Sequence, residues 1–101
     1  MPKIFEYLGI IIFFYSNEHE PIHVHARKGE YESKAEFIII EGVIESIKIT
    51  GVKGRERLTG KELEDFKIFL DSYADEIVKK WIDYFVYHKN VECERITKRI
   101  K

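Results

Sequence analysis

Cysteine, proline and glycine are all scarce in this chain of 101 residues, and each scarcity closes off a class of architecture. The one cysteine, Cys93, has no partner for an intrachain disulfide, which excludes a disulfide-stapled secreted scaffold and fits a reducing compartment. It stands between Glu92 and Glu94, whose carboxylates disfavour a thiolate, so it reads as a filler residue on a terminal strand rather than as a nucleophile. Two prolines and six glycines leave no Pro/Gly-rich linker, and no repeat or low-complexity run is present. Net charge is lacking too. The 17 basic and 18 acidic residues sum to −1, which argues against wholesale wrapping of nucleic acid and leaves only local patches for it. The main apolar run, Leu8 to Tyr15, is too short to span a bilayer and carries neither a basic leader nor a cleavage site. The expected location is the cytoplasm, with no membrane partner.

What remains is a globular composition, 45% apolar and 14% aromatic, enough for one core in one domain over residues 1–101. Residues 1–50 are strand-rich, 59–89 helical, and 91–101 form a tail. The pattern predicts a first strand over Phe5 to Tyr15, interrupted at Gly9 and central because Ile10 to Phe14 are apolar on both faces. Pro21 marks the start of a short second strand near Ile22 to Arg27, or a sheet edge. A third strand, Lys34 to Glu41, turns at Gly42 into a fourth, Val43 to Thr50. In the third, Ala35, Phe37 and Ile39 share one face, and Glu36, Ile38 and Ile40 the other. Thr59 to Glu62 reads as a capping box. After it, Leu63, Phe66, Leu70, Tyr73, Ile77, Trp81, Ile82 and Phe85 recur at helical spacing, with Ser72 and Asp75 as a candidate break. The fold expected is α+β: an antiparallel sheet of about four strands, five if the tail joins it, packed on one long or kinked C-terminal helix.

Three of the four histidines, His19, His23 and His25, fall within seven residues. Residues two apart on a strand share a face, so His23 and His25 stand side by side, with His19 within reach across Pro21. Imidazoles with an oxygen from Glu18, Glu20 or Glu30 suit a divalent transition metal such as Zn, and an open coordination position allows hydrolytic chemistry. The bland alternative is the polar face of a short edge strand, where histidine is an ordinary resident. A histidine-triad hydrolase is excluded because Arg27 holds the place of the third alternating histidine. A cupin is excluded because Asn17 and Phe37 stand where its motif has glycines.

Two basic features remain. The loop from Gly51 to Lys61 brings Arg55 and Arg57 between glycines ahead of a helix N-terminus, an arrangement able to meet a phosphate, though not a P-loop. The tail adds Arg95, Lys98, Arg99 and Lys101, so Arg55, Arg57, Lys98 and Arg99 are the candidate phosphate or nucleic-acid contacts. Helix aromatics lying outside the core stripe, with Phe69, Tyr84 and Tyr87 as candidates, would form a patch for a partner or a second copy.

The chain resembles the uncharacterised bacterial family 4160 of domains of unknown function. The likeness rests on Met1-Pro2, Gly9-Ile10 and Phe14-Tyr15, on the helix with Trp81, and above all on Glu18 to Ala26 with its histidine, proline and His-x-His. Ile22 departs from the second proline that many members place there. The resemblance marks His19, Pro21, His23 and His25 as motif positions and implies no catalytic residue. It implies a small protein encoded beside another small uncharacterised domain, in a gene arrangement like that of toxin–antitoxin or mobile-element modules. The first reading is thus a cytoplasmic binding or regulatory module with a partner encoded next door. A metal-dependent hydrolase or nuclease using His19, His23 and His25 is the second, and a nucleic-acid contact the third.

Overall fold

Leu8 and Gly9 take φ values of +49° and +84° in the computed structural model, which describes residues 2–15 and 21–100. Two consecutive residues in that region make the two-residue turn whose twist suits a tight hairpin. The N-terminal apolar run is therefore not one strand over Phe5 to Tyr15. It is a hairpin of β1 (Lys3–Tyr7) and β2 (Ile10–Phe13), with Tyr7 paired to Ile10. Glu41 and Gly42 repeat the device, at +52° and +80°, between β4 (Tyr31–Ile40) and β5 (Val43–Gly51). Between the hairpins runs β3 (His23–Lys28), which pairs with both β2 and β4.

These five strands form an antiparallel meander, as short loops dictate. The tail then adds β6 (Glu94–Ile96), parallel to β1, so the sheet order is β5-β4-β3-β2-β1-β6. The expected antiparallel sheet of four or five strands is thus a mixed sheet of six. The splitting of the first strand supplies one of the extra strands. The other comes from the helix α1 (Gly60–Phe85), which follows β5 at one sheet edge and delivers the chain to β6 at the opposite edge.

The helix is single and bent, with non-helical angles at Tyr73 beside Ser72. The capping box expected at Thr59 is not formed: Thr59 occupies the N-cap position without a side-chain hydrogen bond. Gly60 follows at φ +58°, a turn that takes the Thr59 hydroxyl out of capping register. Packing of one stripe holds the helix instead. Phe66, Phe69, Leu70, Ile77 and Trp81 are buried against Ile4, Phe5, Tyr7, Ile10, Ile12, Phe14, Val24, Ala26, Ala35 and Phe37. Each such large apolar side chain contributes about 1.5–3 kcal/mol by leaving water. Phe69 lies 5.2 Å edge-on from Phe5 and stacks on Tyr7 and Tyr73, so it is core rather than part of an exposed patch. Tyr84 likewise packs on Phe14 and Phe85, and only Tyr87 of the three candidates is exposed.

The tail is fastened rather than loose. Arg95 pairs with Glu6 across the β6–β1 register, and Lys80 holds Glu94 at 3.3 Å. The amide of Ile100 donates to the Tyr7 hydroxyl, and Arg99 meets Asp65 at 2.7 Å. Cys93 is exposed, just ahead of β6. No helix of the described residues is long and apolar enough to cross a membrane.

Candidate functional site

Strand periodicity splits the sheet into two faces. The helix covers the face with Val24, Ala26, Ala35 and Phe37. The opposite face carries Phe13, Tyr15, His23, His25, Arg27 and Glu32, placed together by the β2–β3 and β3–β4 registers. A helix-free face would ordinarily be wet. Here Phe13, His23, His25 and Glu32 are buried, the glutamate completely. The expectation of a short edge strand with a polar face therefore fails: β3 is an interior strand of the sheet, and its two histidines are enclosed.

Each imidazole is fixed by a bond at Nδ1. His23 Nδ1 donates to the Pro21 carbonyl at 2.7 Å. His25 Nδ1 lies 3.1 Å from Glu32 Oε2, which also accepts from the Tyr15 hydroxyl at 3.1 Å. Because a carbonyl and a carboxylate only accept, Nδ1 carries the proton in both rings, and in the neutral imidazole Nε2 is then the lone-pair nitrogen. The rings are 5.3 Å apart at 71°. His25 is further held by stacking on Phe13 and by Tyr15 edge-on at 4.5 Å. Arg27 sits over Phe13.

Glu32 was not among the expected oxygen donors. Those were Glu18 and Glu20, which lie outside the described residues, and Glu30, which is exposed in the turn before β4. The missed signal was periodicity. Extending the third strand back from Lys34 puts Glu32 on the face of Glu36, which pairs with His23. Glu32 Oε1 accepts no hydrogen bond from the described residues, and Arg55 Nε stands 3.8 Å from it. Burial, the hydrogen bond to Glu32 and the charge of Glu32 together raise the Tyr15 phenol above the ordinary tyrosine range, against a lowering pull from Arg27 and Arg55. His19 also lies outside the described residues, and among those described no group of three His, Cys, Asp or Glu is disposed to hold a metal.

The basic candidates are distributed between the two faces. Arg55 joins the histidine face through Glu32, in a loop whose Glu56 carbonyl accepts from the Glu32 amide. Arg57 packs by Gly51. Arg99 is held by Asp65 on the helix side, and Lys98 is exposed near it in sequence.

A second feature lies on the helix side, where α1 lies closest to β1 and β3 and leaves β5 partly uncovered. Ile22, Ile39, Ile44 and Val43 face Val78, Ile82 and Asp75 across a depression of about 500 Å³. It continues along β5 past Ile47 and Ile49 toward Leu70 and Asp71. The floor is aliphatic, and Asp71, Asp75 and Glu45 give the rim a negative character, with Lys67 at one end. Val43, at its hairpin end, is exposed, as are Ile38 and Ile40 on the opposite face of β4.

A family model described as "Domain of unknown function (DUF4160)" matches residues 9–82. The match takes in the Gly9 turn, the histidine strand, the β4–β5 hairpin and α1 as far as Ile82, and leaves out β1 and β6. No curated protein and no solved structure matches the chain.

Proposed function

The chain belongs to the DUF4160 family, and from that premise we propose that it is a small binding and regulatory module that docks a partner protein in the groove between β5 and α1. One observation carries the reading. The isoleucines of β4 and β5 line a groove that the helix does not close, and Val43 at its hairpin end is exposed. Exposed aliphatic surface rimmed by polar groups is the mark of an interaction site. The acidic rim sets the chemistry of the occupant: an amphipathic segment with an aliphatic stripe and basic residues beside it. The partner is the small protein encoded next door, in a toxin–antitoxin-like pair.

Co-expression of the two adjacent genes tests this. A complex is expected to co-purify, to weaken with salt, and to weaken by more than about tenfold with Val78→Asp or Ile44→Asp. Asp71→Lys combined with Asp75→Lys is expected to weaken it while leaving thermal stability unchanged. No complex, or a complex indifferent to all four substitutions, overturns the reading.

A further inference from the structure

We propose that the partner enters the groove as an extended segment, added as a further strand along the outer edge of β5. The inference rests on the docking reading above and fixes the conformation of the occupant. β5 ends the sheet, so one of its edges has no strand beside it. It is nine residues long, against three for β6 at the opposite end.

The ladder assigns the backbone groups on that edge. The Phe37 amide donates to the Ile22 carbonyl on the β3 side of β4, and the Glu32 amide donates to the Glu56 carbonyl on the β5 side. Successive residues of a strand alternate in this respect. Lys34, Glu36 and Ile38 therefore bond to Thr50, Lys48 and Ser46, whereas Ala35 and Phe37 stand opposite Ile49 and Ile47 without bonding to them. The N–H and C=O groups of Ile47 and Ile49 point away from β4, and among the described residues no hydrogen bond reaches them.

The same two residues form the groove floor on the helix side, with Leu70 and Asp71 of α1. A strand bonded to Ile47 and Ile49 lies directly beside that floor. Every second side chain of it points under α1, toward Ala74, Asp75 and Val78. Backbone bonding then supplies affinity, and the groove selects alternate aliphatic side chains. A helix laid in the same place would shield the Ile47 and Ile49 backbone groups from water without replacing the lost bonds, and a strand satisfies them. Asp71, Asp75 and Glu45 rim the groove, so the segment carries basic residues at its ends.

The experiment uses the full chain and two probes, the co-expressed neighbouring protein and a synthetic peptide. The peptide has valine at every second position, threonine between, and two lysines at each end. Amide hydrogen exchange of the chain is followed residue by residue by NMR. In the free chain, Ser46, Lys48 and Thr50 are expected to be protected and Ile47 and Ile49 to exchange rapidly. Binding is expected to slow Ile47 and Ile49 by more than about tenfold. Ile47→Pro and Ile47→Ala both remove the side chain, but only proline removes the outward donor, at an edge position where the β4 ladder does not need it. Proline is expected to weaken binding by up to about tenfold more than alanine. The exchange data on the native chain stand whether or not a variant folds. Protection of Ile47 and Ile49 by either probe supports strand addition, and protection by the peptide alone overturns only the choice of partner. Binding that leaves both amides exchanging freely overturns strand addition and leaves the docking groove standing. No binding of either probe at millimolar concentration overturns both.

Discussion

The Tyr15 hydroxyl donates to Oε2 of Glu32 at 3.1 Å, and the two residues come from segments that the chain separates by 17 positions. Burial holds the phenol proton more tightly in the folded state than in the unfolded chain, and the Glu32 bond and charge act in the same sense. A folded value raised above the unfolded one gives stability that is whole below about pH 10 and is lost as pH rises through the folded value. Glu32 and His25 face the phenol on this side of the sheet, Arg27 and Arg55 oppose the rise, and none of these groups changes the sign. Tyr15→Phe is expected to lower stability by about 1 kcal/mol near pH 8, with the gap closing above about pH 10. Urea denaturation of parent and variant across that range measures it, and a gap that widens with pH contradicts the assignment.

Arg99 and Asp65 join the tail to the start of the helix, at 2.7 Å, with the aspartate nearly buried and the arginine half exposed. Removing the arginine leaves a carboxylate largely withdrawn from water without its partner. Arg99→Ala is expected to cost about 1–2 kcal/mol, more than an exposed pair and less than a fully buried one. Combined with Asp65→Asn, the loss should be smaller than the sum of the single losses, because both substitutions remove the same contact. Strict additivity in a double-mutant cycle would show that the pair is not coupled.

Much of this arrangement was legible in the residues, and the exceptions have physical causes. Alternation in residues 34–40 assigned both faces of β4 correctly, and spacing put His23 beside His25. The bent helix also followed from its apolar stripe and from Ser72. The split of β1 from β2 did not, because Leu8 occupies a left-handed position that usually signals itself by Asn or Asp. Glu32 was missed because a charged residue alternating with Lys34 and Glu36 reads as a wet surface. Its burial depends on Phe13, Tyr15 and His25, which come from other segments of the chain. The parallel pairing of β6 depends on where the helix ends, which no pattern within residues 94–96 encodes.

Ser33 faces the core side of β4 and accepts a hydrogen bond from the Leu58 amide at 3.0 Å, where both residues are buried. That amide belongs to the loop entering the helix, so the hydroxyl fixes where the helix begins relative to the sheet. Ser33→Ala removes the acceptor without removing the donor. The expected loss is about 1–3 kcal/mol, seen as a lower urea midpoint with an unchanged slope. A loss below about 0.5 kcal/mol would mean that the amide finds another acceptor.

Glu41 and Leu8 occupy the same turn position in two hairpins, at φ +52° and +49°, each followed by glycine. Left-handed backbone disfavours both side chains by roughly 1 kcal/mol, and asparagine carries less of that strain. Glu41 is exposed and has no packing to lose, so Glu41→Asn is expected to raise stability by about 0.5–1 kcal/mol. Leu8 packs against the core, so Leu8→Asn exchanges the same backbone relief for lost apolar burial and should show no net gain. Measuring both variants separates turn strain from packing. Equal gains would mean that Leu8 contributes nothing to the core, and no gain at position 41 would mean that the turn is not strained.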